Sequence, residues 1–268
     1  MKQHFIALDI DGTLSSHDGS IHPDVQHHVR RVSRDGHHVV LATGRSPHDV
    51  LPIVHQFEIE PEWLVCANGT VILHKDPMSE TGYTPIYVET FNPHNEISAL
   101  RKHLPNAIFA VEVFEEGYYY TEHFELKYIE PMVKQVSIEE LNTKQVIRML
   151  ALPSKATHSV DDLREIINTT GVGVLGQAPS VDMFWVEVFP TGITKAHALE
   201  KIRQRIGIPH SDVMAMGDGF NDIEMLQWAG RYGRGIAMGQ AHDDVKKHAT
   251  EVTLPVHEGG VAHILKLI

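Results

Sequence analysis

The chain has 268 residues, of which 42% are hydrophobic and 22% are charged, as in a folded globular protein of one large or two modest domains. Its 35 acidic residues exceed its 23 basic residues, and the formal charge of −12 disfavours nucleic acid as a partner because a phosphate backbone would be repelled. The single cysteine, Cys66, excludes an internal disulfide. No apolar run reaches the roughly 18–20 residues of a membrane span, and no signal-peptide layout precedes the first strand-like run. We therefore expect a cytoplasmic protein without a membrane partner.

The first 70 residues alternate between strand and helix patterns. Short apolar runs predict buried strands at residues 4–8, 39–42 and 63–67. Apolar positions at helical spacing predict an amphipathic helix over 23–35 that ends before Gly36, and Ser46-Pro47 has the form of an N-cap followed by a first-turn proline. Alternation of this kind predicts parallel strands joined by right-handed crossovers.

The same rhythm returns late in the chain. The patterns predict helices over 194–206 and 223–229 and strands over 213–216 and 235–238. The second strand of this part ends near Met238, and the first ends in the polar segment Gly217-Asp218-Gly219-Phe220-Asn221-Asp222. The two ends of the chain are therefore expected to build one sheet.

The middle of the chain has its own pattern. Candidate strands lie at 86–89, 108–113, 118–121, 146–151, 172–175 and 183–188, with helices near 93–103 and 160–168. The turn Glu115-Glu116-Gly117 predicts a hairpin and hence antiparallel pairing. We predict an α/β fold with a Rossmann-like parallel-sheet core, residues 1–83 and 190–268, and an inserted α+β cap domain, residues 84–189. Pro85 and Pro190 are taken as boundary markers.

Three patterns carry no chemistry in this interpretation. The 20 histidines lack metal-ligand spacing, and a lone cysteine cannot form a cysteine-rich zinc cage, so we expect solvated surface histidines. Gly171-x-Gly173-x-x-Gly176 matches a dinucleotide fingerprint by letter, but it follows a helical pattern and runs into Pro179, which favours a glycine-punctuated strand or turn. The run Tyr118-Tyr119-Tyr120 predicts a packed hairpin with Tyr119 on the opposite face, not an aromatic clamp.

Polar residues cluster where the predicted core strands end. In an open parallel sheet these ends meet in one crevice, and the set comprises Asp9, Asp11, Thr13, Thr43, Arg45, Asn68, Asp218, Asn221 and Asp222, with Lys195 opening a nearby helix. Four carboxylates in one crevice repel one another unless a hard divalent cation binds them. Mg²⁺ fits best, because it uses one or two carboxylates plus substrate phosphate, whereas a calcium-binding EF-hand loop would need Gly where Leu14 stands.

The order of these motifs resembles that of the haloacid dehalogenase superfamily of phosphatases, within it the Cof-type members with a class IIB cap. The four matching segments are Asp9-Ile10-Asp11-Gly12-Thr13, Thr43-Gly44-Arg45, Lys195 in Gly192-Ile193-Thr194-Lys195-Ala196, and Gly217-Asp218-Gly219-Phe220-Asn221-Asp222. The resemblance covers essentially the whole chain, since the insertion has the size and mixed α/β character of that cap.

This resemblance implies a role for each residue. Asp9 would be the nucleophile that forms an aspartyl-phosphate, and Asp11 the proton donor and later the base. Asp9, the Asp11 backbone carbonyl and Asp218 would hold Mg²⁺, and Thr43 and Lys195 would stabilise the transferring phosphoryl group. The residues assigned to substrate or phosphate are Gly12, Thr13, Gly44, Arg45 and Asn221. Asp222 would orient Lys195 and the metal waters.

The implied activity is Mg²⁺-dependent hydrolysis of small phosphomonoesters, sugar phosphates or phosphorylated cofactors, by a monomer or homodimer. A small phosphorylated metabolite is the expected partner. The inserted region would act as a lid that selects the leaving group, because every residue assigned to metal or phosphate lies outside it.

Several alternatives stay open at this stage. Gly12 and Thr13 can simply make the turn, Asn68 can serve the turn before Gly69, and Asp222 can cap a helix. A catalytically silent phosphate sensor would be expected to lack Asp9 or Asp11. A nucleotide-sugar glycosyltransferase would use an acidic pair but leave the later motifs without roles.

Two segments depart from the family pattern. The usual Ala-Met-Gly-Asn-Ala reads Ala237-Met238-Gly239-Gln240-Ala241, and the usual acidic pair before the late Gly-Val reads Glu258-Gly259-Gly260-Val261. These departures put in doubt the packing of the last strand and loop against the site.

Overall fold

The computed structural model describes residues 2–16, 18–124, 131–153, 158–177 and 184–268, without the side chain of residue 177. The chain divides into two compact units, one formed by Met1–Tyr87 with Gly192–Ile268 and one by Val88–Thr191. Within the described ranges, no helix is both long and apolar enough to cross a membrane. Pro179 and Met183, which entered the sequence argument, lie outside the described residues.

The first unit contains elements from both ends of the chain. Its amino-terminal elements are β1 (Phe5–Leu8), α1 (Pro23–Arg34), β2 (His38–Ala42), α2 (Pro47–Gln56), β3 (Trp63–Cys66), β4 (Val71–Lys75) and β5 (Tyr83–Val88). The second unit then contains α3 (His94–His103), β6 (Ile108–Val113), β7 (Gly117–Tyr120), β8 (Met132–Gln135), α4 (Ile138–Leu141), β9 (Arg148–Leu152), α5 (Val160–Thr170), β10 (Val174–Gln177) and β11 (Phe184–Val188). The chain returns to the first unit with α6 (Lys195–Ile206), β12 (Val213–Gly217), α7 (Ile223–Gly230), β13 (Arg234–Ala237), α8 (Asp243–Lys246), β14 (Glu251–Val252) and α9 (Gly260–Leu265).

The first unit has a sheet in the order β14-β13-β12-β1-β2-β3-β4-β5. The pairs from β14 to β3 are parallel, with Phe5 opposite Val213 on one side and His38 on the other. This confirms the predicted α/β class with a parallel-sheet core. The sheet is nevertheless mixed, because β4, which the sequence patterns did not predict, runs antiparallel to β3.

The strand predicted over 86–89 is assigned differently in the structure. It is part of β5, which extends the first unit's sheet beyond β4 and does not join the sheet of the second unit. Pro85 lies inside this strand, two residues before the first unit's segment ends at Tyr87. An edge strand tolerates proline because it has one row of N–H groups without a ladder partner. A cap domain over residues 84–189 stays a prediction.

Both faces of the core sheet are covered. Phe5, Ala7 and Val40 pack in one cluster with residues of α6 and α7, while the alternate residues Ile6 and Leu8 are also fully buried. Such two-sided burial explains why these strands read as continuous apolar runs. The helix predicted over 23–35 forms as α1, with its three predicted valines buried and Asp35 as its C-cap.

The second unit has a sheet in the order β10-β11-β9-β6-β7-β8, antiparallel except for the β7–β8 pair. Helices α3 and α5 pack on one face through apolar residues that include Leu100 and Leu163. The predicted hairpin is confirmed, since Val113 lies opposite Gly117, with Glu115 in the turn at a φ of 64°. These features confirm the α+β character expected for the insertion.

Two patterns set aside in the sequence analysis have the predicted structural roles. Gly171 ends α5 in the left-handed conformation, at a φ of 65°, so the glycine fingerprint does not open a helix. Tyr118 is buried in the cluster on the sheet face opposite α3 and α5, and Tyr120 packs against that cluster. Tyr119 packs against the helix-covered face, as strand alternation predicts.

Candidate active site

The strand order brings the predicted polar segments together. β12, β1, β2 and β3 are consecutive in the sheet and run parallel, so the residues that follow them share one edge. Asp218 follows β12, Asp9 follows β1, Thr43 follows β2, and Asn68 lies just beyond β3. The predicted convergence on one crevice thus has a direct cause in the topology.

Lys195 is the buried cation of this edge. It opens α6, whose N-cap Thr194 accepts a hydrogen bond from the backbone N–H of His197. Its Nζ lies 2.7 Å from Asp9 Oδ1 and 2.7 Å from Asp222 Oδ1, and its side chain is 1% exposed. One ammonium group therefore links residues from three distant parts of the chain.

The charges of this cluster do not balance. Burial raises the pKa of Asp9 well above its usual value, and Asp222 adds to the rise, while Lys195 opposes it. Burial alone would lower the pKa of Lys195, but the carboxylates of Asp222 and Asp9 raise it above its usual value. The ammonium is accordingly held in its charged form, and one positive charge faces Asp9, Asp218 and Asp222.

Asp222 organises the loop after β12. Its Oδ2 accepts hydrogen bonds from the backbone N–H groups of Asp218 (3.0 Å) and Gly219 (2.9 Å), while Oδ1 accepts from Lys195. The bond to Gly219 caps the short 3-10 turn Phe220–Asp222. The sequence analysis also considered Asp222 as a side-chain cap of the following helix. Asp222 is the N-cap residue of α7, but its side chain makes no cap hydrogen bond there and instead binds Lys195 and the loop after β12.

Asp218 lies in a tight cradle against the turn after β1. Thr13 Oγ1 donates to Asp218 Oδ1 at 3.1 Å. Gly12 has a φ of 87°, and a Cβ there would lie 2.2 Å from Asp218 Oδ2. Glycine is required at this position both by the backbone conformation and by the close approach of the carboxylate. The Gly12–Thr13 turn thus also positions Asp218.

Gln240 contacts the same pair of segments. Its Nε2 lies 2.5 Å from the Gly12 carbonyl oxygen and 3.4 Å from Asp218 Oδ2, and its Oε1 accepts from the Val256 N–H at 2.9 Å. The sequence analysis noted Gln240 only as a departure from the family pattern.

Asp11 and Arg45 form a forked ion pair. Arg45 Nε lies 2.7 Å from Asp11 Oδ2, and Arg45 Nη2 lies 2.6 Å from Asp11 Oδ1. The Arg45 backbone N–H also donates to Thr43 Oγ1 at 3.1 Å, within the predicted Thr43-Gly44-Arg45 segment. We expected the guanidinium to contact substrate, whereas here it binds the predicted proton donor. That expectation for Arg45 stays a prediction.

Asn68 and Asn221 meet across the crevice edge. Asn68 has a φ of 53°, which supports the turn interpretation, since asparagine tolerates the left-handed region. Its Oδ1 also accepts a hydrogen bond from Asn221 Nδ2 at 2.9 Å. A Cβ on Gly44 would lie 3.4 Å from that same Asn68 oxygen, so the second and fourth motifs are neighbours.

Comparison with known proteins decides the family. A family model of haloacid dehalogenase-like (HAD-like) hydrolases matches residues 6–265. The chain belongs to the HAD-like hydrolases. The predicted class of enzyme, a hydrolase of the HAD-like phosphatase type, is thereby confirmed.

Individual relatives agree with this assignment over nearly their full length. The chain is 29% identical over 281 aligned positions to the 5-amino-6-(5-phospho-D-ribitylamino)uracil phosphatase YitU of Bacillus subtilis, covering 99% of this chain and 97% of that protein. It is 26% identical over 294 positions to phosphatase YwpJ of the same organism, covering 97% and 98%. The solved HAD subclass IIB sugar phosphatase BT4131 shares the fold, with a TM-score of 0.79 at 24% identity, covering 99% and 98%.

The acidic cluster of this HAD-like hydrolase has the donor chemistry of a divalent metal site. Ligand oxygens of Asp9, Asp218 and Asp222 all lie within 4.8 Å of one another. Three carboxylates facing one ammonium leave negative charge that a hard cation would neutralise, and carboxylate oxygens are the ligands that Mg²⁺ prefers. Asp222 takes part in this cluster, whereas the carboxylate of Asp11 is bound by Arg45. The metal contact assigned to the Asp11 backbone carbonyl stays a prediction.

Two contacts escaped the sequence analysis. The Arg45–Asp11 fork joins residues 34 positions apart, and the Gln240–Gly12 bond joins residues 228 positions apart. The signal available for Gln240 was its departure from the family's asparagine. No pattern within either segment indicates which side chain a guanidinium or an amide binds, because that depends on the loop conformations.

Proposed function

We propose that this HAD-like hydrolase is a Mg²⁺-dependent phosphatase that hydrolyses small phosphomonoesters through an aspartyl-phosphate on Asp9. The observation that supports this most is the placement of Asp9, which follows a buried strand, binds Lys195 through Oδ1 and faces Asp218 and Asp222. A carboxylate held this way has one oxygen fixed by the ammonium and a second oxygen for attack.

Asp9 and Asp218, with the backbone carbonyl of Asp11, would hold the Mg²⁺. When bound, the ion would draw negative charge from the phosphoryl oxygens and from the carboxylates, so that an anion can attack an anion. Lys195 keeps the Asp9 carboxylate oriented and contributes positive charge that does not depend on the metal.

In the first step, Asp9 Oδ2 attacks phosphorus and the bond from phosphorus to the leaving oxygen breaks. Asp11, released from the Arg45 fork that occupies both its carboxylate oxygens here and carrying a proton, gives that proton to the leaving oxygen, which departs as an alcohol. In the second step, a water attacks phosphorus while the Asp11 carboxylate takes its proton. The bond from phosphorus to Asp9 breaks, inorganic phosphate leaves, and both aspartates return to their starting states.

Neighbouring groups would bind the phosphoryl oxygens. Thr43 offers a hydroxyl, and Gly12, Thr13 and Gly44 would line the phosphoryl group at the same edge of the sheet. Asn221 would contact substrate phosphate from the opposite loop, and Arg45 would reach the phosphate or a sugar hydroxyl. Thr43 is 1% exposed, which suits a group that acts in a site closed to bulk water.

The proposed substrate class is a sugar phosphate or a phosphorylated cofactor. YitU, the relative described above, is named for a monoester on a ribityl chain, so that compound belongs in any panel of test substrates. A cytoplasmic protein acting as a monomer or homodimer remains our expectation from the composition and the single cysteine.

A phosphate-release assay over a panel of small monoesters tests the proposal. We expect turnover with Mg²⁺, its loss in excess chelator, and recovery when Mg²⁺ is restored. Full activity in excess chelator would contradict the metal assignment. Binding of monoesters without phosphate release would instead favour a phosphate sensor, and transfer from a nucleotide sugar would favour a glycosyltransferase.

A further inference from the structure

We propose that Gln240 is a positioning residue that fixes Asp218 and the Gly12 turn for binding of the divalent cation. This inference rests on the proposed function, since it concerns the same metal site. Gln240 follows β13 and lies outside the four motifs. It bridges the turn after β1, the loop after β12 and the short turn Val256–Glu258.

The orientation of the Gln240 amide follows from its partners. The backbone N–H of Val256 can only donate, so the carbonyl oxygen of the amide must face it. The amide nitrogen then faces the Gly12 carbonyl oxygen and the Asp218 carboxylate, which can only accept. Each donor of the amide thus faces an acceptor and its oxygen faces a donor, so these contacts favour one orientation of the Gln240 side chain.

The charge of the donors matters for a metal ligand. Lys195 binds Asp9 and Asp222 with a positive charge, whereas Thr13 and Gln240 approach Asp218 as neutral donors. Neutral donors orient a carboxylate without cancelling the charge that a cation requires. Gln240 is suited to this task in a way that a lysine at the same position would not be.

Through its hydrogen bond to the Gly12 carbonyl oxygen, Gln240 also holds the turn that follows Asp9, the proposed nucleophile. Gly12 lies between Asp11 and Thr13, and its positive φ brings its Cα against the Asp218 carboxylate. A donor on the Gly12 carbonyl oxygen therefore holds the peptide that positions both neighbours. The second departure from the family pattern is near in sequence, because the turn that begins at Val256 is followed by Gly259.

Gln240→Met tests this role, because it keeps the length of the side chain and removes its amide. We expect the Mg²⁺ dissociation constant, measured by titration calorimetry on the full chain, to rise about tenfold. Saturating Mg²⁺ should restore kcat to within about threefold of wild type, since the metal ligands themselves are intact. Gln227→Met is the matched control, because Gln227 is exposed on α7 and bonds His248, and it should leave Mg²⁺ binding unchanged.

Gln240→Ala removes the same amide without filling its space and should weaken Mg²⁺ binding at least as much. Gln240 is exposed, so both variants should unfold at temperatures close to that of wild type. Mg²⁺ binding equal to wild type in both variants would overturn the inference and leave the proposed function intact. A wild-type protein that shows neither Mg²⁺ binding nor metal-dependent turnover would instead overturn the proposed function.

Discussion

Asp9 and Asp11 are two residues apart but have different partners. Asp9 is 5% exposed and binds Lys195, whereas the Asp11 side chain is 32% exposed and lies in the fork of Arg45. A buried, lysine-bound carboxylate suits a fixed nucleophile, whereas Asp11 can exchange a proton with substrate and water only when it leaves the Arg45 fork. The two residues should therefore respond differently to the same substitution.

We expect Asp9→Asn to abolish both turnover and covalent labelling by substrate phosphate, because an amide cannot attack phosphorus. Asp11→Asn should keep the nucleophile but lower kcat by about 10²–10⁴ through loss of proton transfer. With a good leaving group, the Asp11 variant should accumulate phosphorylated enzyme, measured by rapid quench with labelled substrate. Equal labelling and equal residual rates in the two variants would show that the assigned roles are wrong.

At the scale of elements, Glu200 joins α6 to α7. Its carboxylate accepts hydrogen bonds from Arg203, Gln204 and Trp228 Nε1 at 2.6–3.0 Å. The bonds from Arg203, with smaller contributions from those of Trp228 and Gln204, lower the pKa of Glu200 from 4.5 to about 2. A carboxyl group with a lowered pKa in the folded state contributes stability above its unfolded pKa and loses it as the pH falls through the folded value.

Glu200→Gln should therefore reduce the free energy of unfolding by about 1 kcal/mol at pH 7, a modest figure because the pair is partly solvated. The difference from wild type should shrink between pH 4.5 and pH 2, measured by urea unfolding at several pH values. Arg203→Met removes the same pair and also the bond from Arg203 Nη1 to the Ile208 carbonyl oxygen, so its loss should shrink over the same pH range but keep a remainder that does not depend on pH. A difference that stays constant with pH would contradict the assignment.

A second element-scale feature is the buried charge cluster on the face of the second unit's sheet that lies opposite α3 and α5. Arg148 binds Glu112 at 2.9 Å and Glu187 at 3.3 Å, and all three side chains are at most 13% exposed. Tyr118 also donates to Glu112 at 2.8 Å. Burial raises the pKa of Glu187, while Arg148 opposes that rise. Removal of the arginine would leave buried carboxylates without their counter-ion.

We expect Arg148→Met to lower the free energy of unfolding by about 3–5 kcal/mol, the cost of breaking a buried ion pair. Lys134→Met is a matched control in the same unit, since its pair with Glu140 spans 3.9 Å and is largely exposed. That control should cost less than about 1 kcal/mol. Similar losses in the two variants, measured by denaturant unfolding, would mean that Arg148 is not a central part of the fold.

At the scale of the whole molecule, all residues assigned to metal and phosphate belong to the first unit. The chain leaves that unit after β5 and returns just before Lys195. This arrangement supports the proposal that the second unit selects the leaving group while the first unit handles the phosphoryl group.

Alanine substitutions of exposed polar residues in the second unit, such as Glu122, His123 and Lys134, test this proposal. At positions that contact substrate, kcat/KM for bulky monoesters should fall about tenfold or more, while acetyl phosphate should change less than about threefold. Glu80→Ala in the first unit is the control. Equal effects on every substrate across the scan would contradict the lid proposal.

Much of the fold was accessible from local patterns because its elements have local causes. The Pro23 start of α1 and the N-cap position of α2 at Ser46 lie where the sequence predicts them, since these signals depend on a few adjacent residues. The Ser46 hydroxyl makes no cap hydrogen bond and donates to Asp49 Oδ2 instead. The sequence patterns did not predict β4. The strand that forms β5 was predicted but placed in the insertion, because a strand pattern alone does not reveal which sheet the strand joins. Proline usually interrupts a strand, but Pro85 is accommodated within β5 because β5 is an edge strand.

The sequence by itself determined the chemistry available at the crevice: carboxylates at strand ends, a lysine opening α6, and the family to which their order points. Only the tertiary structure decided the pairing of these groups, such as Lys195 with both Asp9 and Asp222, and Arg45 with Asp11. The reason is physical. The residue types of a motif and their spacing lie within one short segment of the sequence. A hydrogen bond between residues up to 228 positions apart depends instead on strand order, loop conformation and competition among all neighbouring donors and acceptors.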